Sequence, residues 1–197
     1  MRRGTKSLLF GCHQFLVHPL FTLWGWVRLY GWGSLNLQSL LAIIIHDWGY
    51  WGCKSMDGED GYIHPLRRLR WVQHGPGEMD EMWELIWYHS RHLCFELKAE
   101  PSLLCWADKL GTALMPSWLW ALMAHLSGEG YEYMANVNGN DYVPAEESTI
   151  WGLRRFHLAY KREWGDPAAI LQRARVIRRG MVDGVKSDKL DEWLRYK

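Results

Sequence analysis

Apolar positions recur at helical spacing along nearly the whole chain, and no segment alternates as a half-buried strand must. The stretch "HPLFTLWGWVRLYG" (18–31) has proline just inside its start and glycine at its close, the asymmetry expected of a helix. "SLNLQSLLAIIIHD" (34–47) opens on a serine able to cap it and is apolar enough to run through the centre of the molecule. "KSMDGEDGY" (54–62) is acidic and rich in turn residues, hence a loop. A helix is expected over 63–74, closed by Gly75-Pro76-Gly77, and another over 78–92 with acids in its first turn, where the helix dipole favours them. Two more follow at 101–115 and 117–128. Glycine and asparagine interrupt the pattern over 128–144, which reads as a loop or short hairpin. The last helices fall at 146–164 and 166–183, where Ile170, Ala174, Ile177 and Met181 form an apolar stripe and Arg173, Arg175, Arg178 and Arg179 lie largely elsewhere.

This pattern predicts an all-α fold, and 197 residues suit one domain with a well-filled core. Fourteen tryptophans are unusual; each is a large surface seeking burial with an N–H seeking an acceptor, so most are read as core fillers and some as lining a substrate pocket or partner groove. Net charge is +1, but residues 1–149 hold 11 basic and 16 acidic side chains, against 12 and 6 in 150–197. Such a basic tail makes nucleic acid a conceivable partner, although a solvated helix face is the commoner case. Cys12, Cys53, Cys94 and Cys105 show no paired spacing and are read as buried, reduced thiols of a cytoplasmic protein. The basic opening is interrupted at His13, Gln14 and His18 before any signal-peptide core forms, and no apolar run reaches the roughly 18 residues of a membrane span. No membrane partner is expected.

The chemistry concentrates at "IIIHDWGYWG" (43–52), where three isoleucines run into His46 and Asp47. A buried imidazole and carboxylate are costly unless something pairs with them, and a divalent metal ion is such a partner. Neighbouring residues on a helix point about 100° apart, so these two share an ion most easily at a helix terminus, where Gly49 frees the backbone. Further histidines and acids near helix ends or buried faces are His18, His64, His89 and Asp108. His13 rivals His18 as the first of the series, and His92 rivals His89, which is preferred because it follows the apolar "LIWY". Mixed imidazole and carboxylate ligation suits Mn, Fe, Co, Ni or Zn, one ion or two, rather than calcium. His74, His125 and His157 stand alone and are read as ordinary histidines.

In order, "VHPLF", "IIIHDWG", "YIHPL", "WYHSRH" and "CWADKLG" give H…HD…H…H…D, which resembles the HD superfamily of metal-dependent phosphohydrolases. The resemblance implies an HD-like helical bundle over about 13–127, then the loop 128–145 and a basic helical extension over 146–197. It implies His18, His46, Asp47, His64, His89 and Asp108 as metal ligands with Asp47 as bridge, and water activated by two ions roughly 3.5–4 Å apart for attack on a phosphate ester. A nucleotide is the expected substrate. Lys109, Arg91, His92 and Lys54 are candidate catalytic or phosphate-contacting groups; Arg67, Arg68, Tyr50 and Trp51 are candidate substrate contacts, with Arg70 beside them and Trp48 and Trp106 as further stacking surfaces. A homo-oligomer is compatible with this reading. Tyr50 stands where cyclic-dinucleotide phosphodiesterases of the superfamily carry lysine and 5′-deoxynucleotidases carry glutamate, so neither substrate transfers. A mixed-valent di-iron oxygenase branch shares the ligand order, although "CHQFLV" lacks that branch's tyrosine and glutamate lid. A metal-stabilised binding protein without turnover is the third possibility.

Overall fold

A computed structural model describes residues 1–67, 81–138 and 149–182, and among them the secondary structure is helical throughout. α1 (Arg3–Phe10) leads into α2 (Val17–Tyr30), and a 3-10 turn at Trp32–Ser34 turns the chain back into α3 (Leu37–Ile45). A second 3-10 segment, His46–Tyr50, precedes the short helices α4 (Glu59–Tyr62) and α5 (His64–Arg67). Then come α6 (Glu81–Trp87), α7 (Arg91–Leu97), α8 (Leu103–Leu114), α9 (Ser117–Ser127), α10 (Glu129–Asn138), α11 (Ile150–Trp164) and α12 (Pro167–Val182).

α8 is the hub. α2 lies along it most closely, and α3, α6, α11 and α12 also touch it. The close crossing of α2 and α8 depends on Gly25 and Gly111: a Cβ on Gly25 would strike the Ala107 carbonyl, and one on Gly111 would lie 2.7 Å from the Thr22 backbone. Around this crossing Trp26, Ile43, Leu104, Leu110, Ile170 and Ile177 are buried in one cluster. Burial of each such side chain stabilises the fold by about 1.5–3 kcal/mol. A second cluster, with Met115, Trp120, Ala124 and Leu153, joins α9 to α11.

Four local expectations are corrected. The cap of α3 is Asn36, not Ser34: Asn36 Oδ1 accepts from Ser39 N–H at 2.7 Å and Asn36 N–H donates to Ser39 Oγ at 2.9 Å, a reciprocal pair that satisfies two otherwise orphaned donors. Ser34 instead accepts the Trp26 indole N–H at 2.9 Å. The helix expected over 78–92 breaks at residues 88–90, because Ser90 caps a new helix, α7, through the Leu93 N–H. The glycine-containing stretch after 128 is not a hairpin as far as it is described; Glu129–Asn138 is helical, since Gly128 at φ 79° ends α9 and Gly130 is the one glycine within the new helix. Gly49 does not have a positive φ; it is needed because a Cβ there would collide with the His64 carbonyl. Most of the helix expected at 63–74 and of the loop after 138 lies outside the described residues, as does the chain beyond 182.

Candidate metal centre

Three elements carry the first half of the cluster. His18 is on the inner face of α2, His46 and Asp47 follow the last turn of α3, and Asp108 is on α8. The α3 helix ends at Ile45, so the 3-10 turn that follows directs both His46 and Asp47 inward, as adjacent ligands require. His18 Nε2 lies 3.2 Å from His46 Nε2, 3.1 Å from Asp47 Oδ2 and 3.0 Å from Asp108 Oδ1. His46 Nε2 is 3.2 Å from the same Asp47 oxygen. The second half is His64, opening α5, and His89, in the turn between α6 and α7, with Nε2 atoms 3.0 Å apart. Each lies 3.5 Å from Asp47 Oδ1. Asp47 therefore belongs to two buried groups of potential ligands at once, His18–His46–Asp47 and Asp47–His64–His89.

The tautomers follow from the backbone. His46 Nδ1 is 2.9 Å from the Ile43 carbonyl, His64 Nδ1 2.7 Å from that of Gly61, and His89 Nδ1 2.5 Å from that of Ile86. A carbonyl only accepts, so each Nδ1 carries the proton and each neutral ring turns the lone pair of Nε2 inward. In His64 and His89 those lone pairs face one another. Opposed lone pairs at this distance repel unless a cation or a proton lies between them. Asp47 Oδ2, buried, receives no hydrogen bond, and His18 Nδ1 makes none. Ligands about 2.1 Å from one ion stand about 3.0–3.4 Å from one another; the His18, His46 and Asp47 atoms keep this separation, the Asp47, His64 and His89 atoms stand at 3.0–3.5 Å, and His46 to Asp108 is wider at 3.9 Å. The donor set thus fits a borderline divalent transition metal, and Nδ1–H bonds to carbonyls are the outer contacts that orient histidine ligands.

Electrostatically the cluster otherwise relies on protons. Burial opposes charge on His18, but the facing carboxylates of Asp108 and Asp47 push it up to about 10. Burial lowers His64 to about 4 despite Asp47. Both carboxylates are held below their ordinary range against the effect of burial, Asp47 by the imidazoles packed around it and Asp108 by the charge of Lys109.

Asp47, His64, His89, Asp108 and Lys109 line a cleft of about 390 Å³, its open mouth included, while His18 and His46 close it from behind. The enclosed part is about 30 Å³, room for a bound ion or one or two waters, and the rest opens to solvent. Lys109 Nζ stands 3.6 Å from Asp108 Oδ2 at this cleft. Tyr50 also lines it, stacked on His64 at 3.8 Å.

Other expected residues lie elsewhere. Arg91 is buried with its guanidinium over the Trp164 ring at 4.9 Å, and His92 stacks on Tyr62 at 4.0 Å. Arg67 donates to Cys53 Sγ at 2.8 Å and pairs with Asp60 at 3.7 Å, and it shares a shallow outer groove with Lys54. Trp51 is exposed, whereas Trp106 is buried in the core and offers no stacking face. Arg68, Arg70 and His74 are outside the described residues. His125 meets the Tyr131 hydroxyl and His157 is held by Ser117 and Thr112, away from the cluster. All four cysteines are free and buried.

The pairing of His13, the rival first ligand of the sequence reading, with Glu129 had no counterpart in that reading. His13 is not in either ligand group; its Nδ1 lies 3.0 Å from Glu129 Oε2 and 2.9 Å from Ser7 Oγ, and its ring lines the cleft. Glu129 is wholly buried and also accepts from Ser7, Ser127, Tyr133 and the Cys12 N–H. These donors and His13 hold its acid down to about 2 although burial opposes this. The 116 residues separating the partners left no local signal. No helix of the described chain is long and apolar enough to cross a membrane. No protein-family model, curated protein or solved structure matches the chain.

Proposed function

We propose that this chain is an HD-type metal-dependent phosphohydrolase that cleaves a phosphate ester, with a nucleotide as the substrate class. The observation that carries the reading is the forced inward lone pair on His46, His64 and His89 around a carboxylate common to both ligand groups. His18, His46, Asp47 and Asp108 would hold one divalent ion, and His64 and His89 with Asp47 a second. When bound, such ions activate water and stabilise charge on phosphoryl oxygens. Lys109 supplies a cation to the phosphate at the cleft, where low solvent access strengthens its attraction. Tyr50 keeps the His64 ring in place by stacking, and His13, fixed by Glu129 and Ser7, offers a hydrogen-bonding edge to the bound ester.

Elemental analysis of the purified protein, then a phosphate-release screen across nucleotides with Mn, Fe, Co, Ni and Zn, tests this. Release from one nucleotide class is expected. Stoichiometric metal without release from any ester would assign a binding protein, and dioxygen consumption by the iron form would assign an oxygenase.

A further inference from the structure

The outer faces of α2 and α3 are apolar and exposed. Leu16, Leu20 and Trp24 recur every four residues from just before α2, and Leu37, Leu41 and Ile44 do so at helical spacing on α3; their exposures run from 39 % to 71 %. The two helices form a hairpin whose inner faces both rest on α8, and His18 near the start of one meets His46 after the end of the other. Counting back 1.5 Å per residue sets Leu20 abreast of Ile44 and Trp24 abreast of Leu41. The stripes therefore lie at matching levels along the hairpin, and exposed apolar surface of this kind marks an interaction site. Trp32, in the hairpin turn, and Trp51, after the second 3-10 segment, extend the exposed apolar surface.

Charge identifies the occupant. Residues 1–56 contain five basic side chains, Arg2, Arg3, Lys6, Arg28 and Lys54, and a single acid, Asp47, which is buried in the cluster. Arg2, Lys6, Arg28 and Lys54 have no carboxylate partner among the described residues, whereas Arg3 pairs with Glu132. Of the carboxylates reaching this segment from elsewhere, Glu129 and Asp108 are engaged inside the molecule by Ser7, Cys12, His13 and His18. Glu81 accepts from the Asn36 amide, Glu132 from Arg3 and the Met56 N–H, and Asp60 from the Lys54 N–H and Ser55 Oγ. On the hairpin itself, residues 17–45, Arg28 is the one Lys or Arg and there is no Asp or Glu, so the face offers no carboxylate to a cationic partner or to Arg28 of a second copy. An anionic lipid surface would pair the basic groups with phosphates, accept the leucines among its acyl chains and keep indole N–H groups at the headgroup level.

We propose that the α2–α3 hairpin docks the protein peripherally on an anionic membrane surface, which revises the expectation of no membrane partner. The contact involves no spanning helix. It does not depend on the hydrolase reading.

Co-sedimentation of the full chain with vesicles of phosphatidylcholine, alone or with phosphatidylglycerol added, provides the test, with tryptophan quenching by brominated lipid as a second readout. Binding to the anionic vesicles with quenching is expected, weakened by salt. Arg28→Glu should weaken it by roughly fivefold or more. Leu20→Glu combined with Leu41→Glu should weaken it by at least about tenfold at an unchanged circular dichroism spectrum, because both side chains are already exposed. Three outcomes overturn the proposal: no vesicle binding by the unaltered chain, binding that Leu20→Glu/Leu41→Glu leaves intact, or a dimer in sedimentation that this variant dissolves while vesicles are ignored.

Discussion

Asp47 is the side chain on which both halves of the cluster converge, and its two oxygens face different histidine pairs. Asp47→Ala is therefore expected to lower bound metal at least tenfold, by elemental analysis, and to abolish phosphate release, while His125→Ala changes neither. Full occupancy in Asp47→Ala would remove the basis for the metal reading. Gly49, two residues on, tests the scaffold in place of the ligand. Gly49→Ala pushes a methyl into the His64 carbonyl, so a stability loss of about 1–3 kcal/mol in urea titration and weaker metal binding are expected together. Unchanged stability would mean the His64 backbone gives way freely. At this scale His46 and Asp47 were legible because no apolar core tolerates such a pair unpartnered. The roles of Arg91 and His92 were not, since sequence adjacency to His89 does not reveal that α7 begins at Arg91 and turns both side chains toward aromatic rings.

Among the elements, the helices legible in sequence are those with long, strongly periodic apolar faces: α2, α3, α8, α9, α11 and α12. Short pieces were missed where local signals compete. α1 resembled the start of a targeting segment, and α10 follows Gly128 so closely that Gly128 and Gly130 together read as loop. The break before α7 hides in a lone Ser90, and it matters, because it sets His89 in a turn rather than on a helix face. The α2–α8 crossing is the element contact that holds His18 against Asp108, at 3.0 Å. Gly111→Val would wedge a branched side chain against the backbone of Thr22, so a loss of more than about 2 kcal/mol and looser metal binding are expected, measured by urea denaturation and metal titration. By contrast Asn36→Ala, which removes only the α3 cap, should cost about 1 kcal/mol and leave metal affinity within about twofold. Equal effects of the two variants on metal binding would show that the crossing does not position the ligands.

For the molecule as a whole, acid is the informative variable, because buried histidines outside the cluster also report on packing. His157 of α11 is wholly buried, with Nδ1 3.0 Å from Ser117 Oγ and Nε2 2.9 Å from the Thr112 carbonyl, and so ties α11 to the junction of α8 and α9. Burial lowers its imidazole to about 4, the positive charge of Lys161 adds to this, and the carbonyl contact only partly opposes it. In the unfolded chain the same ring titrates near 6.5. Between these values the unfolded state binds a proton that the native state refuses, so stability falls as pH drops from about 6.5 and the loss levels off below about 4. One group with this shift contributes about 3 kcal/mol at most. His157→Gln should begin less stable at neutral pH, having lost a fitted ring, yet decline less on acidification, and the gap between the two proteins should narrow toward pH 4. Urea midpoints taken across this range, with chelator present so that metal release does not add its own slope, separate the contributions. Parallel curves would mean that His157 takes up its proton as readily in the native state as in the unfolded chain, and that the acid sensitivity of the fold lies in other groups.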